Sequence, residues 1–173
     1  MRILAAIGAL AIVGAVSAMA FFFGGFYSVA GAAGDPGFVH WALVEVRTAS
    51  IHRHADDLPP NDLNDPVNIQ NGARVFASIG CVSCHGAPGV NWAKFSEGLH
   101  PDPPDLKELV NDRTPSQLFW VVKNGVNMTG MPSFALAGAK DGDLWSIVAF
   151  LKKLPDISEA DYKAWTVSPG QGK

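Results

Sequence analysis

Gly72–Gly89 reads GARVFASIGCVSCHGAPG, and its second half decides the fold. From Pro66 the apolar residues Ile69, Ala73, Val75 and Phe76 recur at helical spacing, and Ile79-Gly80 closes the run. Cys81-Val82-Ser83-Cys84-His85 follows at once. A bare C-x-x-C would suit a redox dithiol or half a zinc site. The redox reading calls for a βαβ context, and no strand-like alternation is present. The zinc reading calls for a second pair of ligands, yet Cys81 and Cys84 are the only two cysteines. The adjacent His85 turns the motif into C-x-x-C-H, the attachment signature of a c-type haem. Two thiols at this spacing can each bond one haem vinyl group, and the imidazole next to them reaches the iron.

A haem iron so held either takes a sixth ligand or leaves the position open. The candidates are His40, His52, His54, His100, Met19, Met128 and Met131. Met19 lies in an apolar N-terminal segment, and His52 and His54 precede a linker and read as surface residues. Met131 is the preferred candidate. It sits in TGMPSF after a glycine-terminated helix, and Pro132 stiffens the backbone beside it. Met128, His100 and an open position are the alternatives.

Outward from the motif, every further signal is helical. Asp105–Asn111 is short enough for a single turn or two. Thr114-Pro115-Ser116-Gln117 is a helix start, with a capping threonine, proline at the first position and glutamine three residues on. Leu118, Val121 and Val122 give that helix an apolar face, and Gly125 ends it. A last helix begins at Asp141 or Asp143 and runs through LWSIVAFLKKL to Leu154. Its acidic start and its Lys152-Lys153 end both suit the helix dipole, and Pro155 stops it. Residues 86–104 are rich in glycine and proline and read as irregular. The domain is therefore all-α, spanning 66–157, with 158–173 as a loose polar tail.

Upstream, no charged side chain occurs from Ile3 to Gly34. Ile3–Phe23 supplies the roughly 20 apolar residues that a membrane-spanning helix needs. Arg2 orients such a helix with the rest of the chain outside the cytoplasm. Ala18-Met19-Ala20 also fits a signal-peptide cleavage site, although cleavage there leaves an apolar end, FFFGGFYSVAG. Residues 1–34 are thus an anchor or a signal peptide. Asp35-Pro36 reads as an N-cap and first helical residue, opening a stalk helix to Ala55. That helix lies on the membrane, rests against the domain, or docks a partner. ADDLPPNDLNDPV then forms a stiff linker that completes segment 35–65.

The 173 residues hold one domain and an anchor. From Asp35 onward, 12 Lys+Arg face 16 Asp+Glu. This acidic balance excludes a nucleic-acid binder, which needs a basic stripe.

GARVFASIGCVSCHGAPG, PPDL at 103–106, NGVNMTGMPSF at 124–134 and DLWSIVAFLKKLP at 143–155 together resemble a class I cytochrome c. More narrowly, they are similar to the small membrane-anchored monohaem cytochromes of the haem-copper-oxidase cytochrome-subunit type. The resemblance covers about Asn68–Pro155. It implies one covalent haem c, with Cys81 and Cys84 as thioethers, His85 as proximal ligand and Met131 as distal ligand. Pro104 matches the proline whose carbonyl takes the other ring N–H of the proximal histidine, with Pro103 beside it. Gly72, Phe76 and Phe150 match positions where the first and last helices cross. Trp92 and Trp120 are candidate propionate donors, with core packing as the other reading of each. The chain is expected to be a membrane-tethered periplasmic electron carrier and not an enzyme, single-pass in the cytoplasmic membrane. Its partners would be periplasmic or membrane redox proteins. A fixed electron-transfer subunit of a dehydrogenase or terminal oxidase is the alternative, and a gas sensor or small peroxidase a third reading.

Overall fold

The computed structural model describes residues 1–60 and 62–167. The chain divides into two compact units, Met1–Gly34 and Asp35–Lys173. The first is dominated by helix α1 (Arg2–Phe23), none of whose side chains is buried. Its 22 residues extend about 33 Å at 1.5 Å each, which matches the hydrocarbon thickness of a bilayer. It is long and apolar enough to cross a membrane, and this fits a membrane anchor.

The second unit begins with α2 (Gly37–His54). Pro36 is extended at ψ 142° and acts as the N-cap, so the helix starts one residue later than the Asp35-Pro36 reading implies. The last turns of α2 rest on the domain, with His52 and His54 exposed as expected yet in contact with it. Ile51 is buried, His52 Nδ1 lies 3.1 Å from Gln117 Nε2, and the His54 ring stacks on Trp120 at 6.2 Å.

Helix α3 (Pro66–Ser78) starts where the Asp65 carboxylate accepts the Val67 N–H at 2.9 Å. Ile69, Gly72, Ala73 and Phe76 form its buried face, the i, i+3, i+4, i+7 stripe of an amphipathic helix. The C-x-x-C-H segment is itself a short helix, α4 (Cys81–His85). Helix α5 (Leu106–Leu109) is capped by Asp105 and passes into a 3-10 turn at Val110–Asp112. Helix α6 (Pro115–Asn124) carries the full capping box expected of it. The Thr114 hydroxyl accepts the Gln117 N–H, and Gln117 Oε1 accepts the Thr114 N–H.

Helix α7 (Asp141–Lys153) is the centre of the domain, buried without a break from Leu144 to Leu151. It crosses α3 at Gly72, where a Cβ would run into the Ser146 carbonyl and the Phe150 Cβ. Only glycine lets two helix backbones approach this closely. Phe76 and Phe150 pack at 5.3 Å across the crossing, and Phe119 of α6 stacks on Trp145 at 4.0 Å. Lys152 Nζ donates to the Val110 carbonyl at 2.7 Å and to that of Arg113 at 3.2 Å, which ties α7 to the turn after α5.

Residues 159–166 are not the loose tail that their polar composition suggests. They form α8 (Glu159–Thr166), with Tyr162 buried and Trp165 packed on the core. Two aromatic side chains four residues or fewer apart suffice to hold a short helix on an apolar surface. Residues 168–173 of that tail lie outside the described residues. No strand occurs among the described residues, only an isolated bridge between Ala87 and Val90. The architecture is all-α.

Candidate haem-attachment site

Helices α4 and α5, the irregular stretches after His85 and before Leu106, and 3-10 turns at Ser96 and Leu154 converge on a cavity of about 590 Å³, within the range of cofactor sites. Cys84, His85 and Pro104 line it, with Val90, Leu106 and Leu154 among its apolar walls. Helix α4 orients the first two. Its single turn leaves Cys81 buried against the core and Cys84 half-buried at the cavity. Burial pushes the Cys81 thiol up to about 12, opposed in part by a hydrogen bond from its own backbone N–H, with Cys84 adding a lesser rise. A thiol held protonated is a poor redox nucleophile, so the dithiol reading finds no support in its surroundings. Nor is there a group of three or more His, Cys, Asp or Glu side chains able to hold a metal among the described residues.

The His85 ring faces Pro104, and its Nδ1 donates to the Pro104 carbonyl at 3.2 Å. That bond selects the tautomer with the proton on Nδ1 and leaves the Nε2 lone pair free. Burial lowers the pKa of His85 more than the Pro104 carbonyl raises it. The ring is therefore neutral near pH 7, the form that can ligate a metal. Pro103 also borders the cavity, but the carbonyl that takes the histidine proton belongs to Pro104.

Met131 approaches from the opposite end of α6. Gly125 terminates that helix at φ 70°, a conformation glycine adopts without strain. A Cβ at Gly125 would lie 2.6 Å from the Pro132 carbonyl carbon and 2.8 Å from the Met131 oxygen, so the methionine loop folds directly back on it. The Val126 N–H donates to the Met131 carbonyl at 3.1 Å, and the Ser133 hydroxyl to the Lys123 carbonyl at 2.8 Å. Pinned in this way, Met131 is partly buried against the core. It does not itself border the cavity around His85.

The rival candidates fall elsewhere. Met128 is 73% exposed at a positive φ of 59°. His100 and His40 are exposed, His52 and His54 hold α2 on α6, and Met19 lies in α1. Of the two tryptophans, Trp92 lines the cavity and is half-exposed, whereas Trp120 packs under His54. Sequence reasoning passed over Leu99, whose side chain would meet a Cβ at Gly130 at 2.9 Å and so backs the methionine loop. It also passed over Tyr162. Neither position carries a periodic signal, because each lies in or after an irregular or polar stretch.

The residues present suit a haem. The cavity is large enough and mainly apolar, the Cys84 thiol lines it with Cys81 one helical turn away in the core, and a neutral imidazole with a fixed tautomer faces it. The fold and this donor set define a cytochrome c domain, whose chemistry is haem-based electron transfer. Residues 67–151 match the family described as cytochrome C oxidase, cbb3-type, subunit III. The match supports a cytochrome c domain of the haem-copper-oxidase cbb3 type over this segment. Comparison with curated proteins and with solved structures returned no match.

Proposed function

We propose that the protein is a membrane-tethered carrier of single electrons with one haem c. Cys81 and Cys84 hold the haem by thioether bonds, His85 is the proximal ligand and Met131 the distal one. The observation that carries this reading is that both candidate ligands are held in place: His85 bonded to the Pro104 carbonyl, and the Met131 loop folded onto Gly125. A haem bound there supplies a one-electron couple. His85 keeps its proton on Nδ1 and presents Nε2. The Pro104 carbonyl holds that orientation and makes the imidazole a better donor. Met131 adds a soft ligand that favours reduced iron, and a filled sixth position favours electron transfer over oxygen chemistry. The apolar walls exclude water and keep the rearrangement between oxidation states small. In this reading α1 remains in the cytoplasmic membrane with the haem domain in the periplasm. Tethering keeps the carrier at high effective concentration near its redox partners.

A second reading is a fixed subunit of a terminal oxidase, and the description of the matched family favours it. Intact mass of the protein from a solubilised membrane fraction tests the first reading. The expected mass is the full chain plus one haem. A mass lacking the first twenty or so residues means that α1 is a cleaved signal, and an unmodified chain overturns the haem assignment. A stable stoichiometric partner in mild detergent supports the fixed-subunit reading.

A further inference from the structure

Helix α8 lies beyond the family segment, which ends at residue 151, yet it is built into the domain. The Ser158 hydroxyl caps it by accepting the Asp161 N–H at 3.1 Å. Its first turn presses on the loop that follows the C-x-x-C-H segment: a Cβ at Gly89 would meet the Glu159 side chain at 3.1 Å. Its last turn is tied to α3, where Arg74 Nε donates to the Trp165 carbonyl at 3.1 Å.

Between these two ties Tyr162 points inward. It is 3% exposed, and its ring packs on Phe150 at 5.8 Å. Its hydroxyl is the one buried side-chain polar atom among the described residues with no hydrogen-bond partner. A buried donor left unpaired is destabilising, and phenylalanine would fill the same space without that cost. Cys81 belongs to the same buried cluster. Burial first, and the charge of a free Cys81 thiolate second, push the pKa of Tyr162 up to about 12; with Cys81 in a thioether the burial remains. A phenol that stays protonated remains a donor.

We propose that the Tyr162 hydroxyl donates a hydrogen bond to the thioether edge of a haem attached at Cys81, and that α8 is the element that carries it there. The inference rests on the haem reading above. Tyr162 does not ligate the iron; it acts through its dipole. The positive end of an O–H aimed at the haem edge stabilises the reduced state more than the oxidised one, which raises the potential.

The full chain is weighed first. A wild-type mass without haem overturns the haem reading and this inference with it. Given the haem, Tyr162→Phe is expected to retain the haem mass and to titrate at a lower midpoint potential in spectroelectrochemistry. An unchanged potential in haem-loaded Y162F overturns the inference, because a merely structural tyrosine would leave it in place. A second measurement needs the wild-type protein alone and decides the matter even where Y162F does not load haem. Exchange into deuterium oxide is expected to shift the resonance Raman bands of the Cys81 thioether, and the absence of a shift overturns the proposal.

Discussion

Met131 and His85 are held by different kinds of restraint. His85 sits in a one-turn helix and takes its orientation from a single bond to the Pro104 carbonyl. Met131 takes its position from backbone folded on backbone at Gly125, which no side-chain substitution at the methionine disturbs. Met131→Ala is therefore expected to leave the loop intact and to open the sixth position. Carbon monoxide should bind the reduced variant at neutral pH and not the wild type, and the midpoint potential should fall. An absorption spectrum identical to wild type, with no binding, would reassign the distal ligand.

At the scale of the element, the α3–α7 crossing is the least forgiving contact. Gly72→Ala would drive a methyl group into the Ser146 carbonyl and the base of Phe150. Backbone cannot yield there as a flexible side chain would, so the expected cost is at the upper end of overpacking effects, about 3 kcal/mol or more. Circular dichroism melts should show a variant that barely folds and loads little haem. The start of α6 is milder. Thr114→Ala removes the hydroxyl that accepts the Gln117 N–H, and the expected loss is about 1 kcal/mol in denaturant titration. Because Gln117 also faces His52, faster amide exchange in the last turns of α2 should accompany it.

For the whole molecule two dependences on solution conditions are expected. The pKa of Tyr162 is near 10 in an unfolded chain and is pushed up to about 12 in the fold, mainly by burial. Between these values the unfolded state releases a proton that the folded state keeps. Stability is therefore complete below pH ~10 and falls as pH rises toward 12, by about 1.4 kcal/mol per unit. Melting temperatures of wild type and Tyr162→Phe should diverge over this window, with the variant showing the flatter alkaline limb. The second dependence is on salt. The unit from Asp35 onward is acidic, 12 Lys+Arg against 16 Asp+Glu, so a soluble redox partner with a basic patch should react more slowly as ionic strength rises. A salt-independent rate points instead to a permanent complex.

Local chemistry carries far in this chain. The Thr114–Gln117 capping box, the Asp65-Pro66 and Asp105 helix starts, the apolar stripe of α3, the apolar length of α1 and the C-x-x-C-H segment all depend on residues close in sequence. They were legible from the residues because caps, helical periods and metal-binding spacings act over a few positions. Three things needed the folded chain. The 86–104 stretch has no period, so Pro104 was paired with His85 only through the family resemblance, and Leu99 backing Gly130 shows only in the fold. The histidines of α2 read as surface residues and are exposed, but their contacts with Gln117 and Trp120 show only in the fold. The polar composition after Ser158 hides a helix whose Tyr162 is buried by α3 and α7, and its orphan hydroxyl is defined by what surrounds it. Sequence alone thus determined helices α1, α3, α6 and α7 and the C-x-x-C-H motif. Tertiary packing alone decided which distant side chains share the site, because burial and hydrogen-bond pairing belong to neighbours in space and not along the chain.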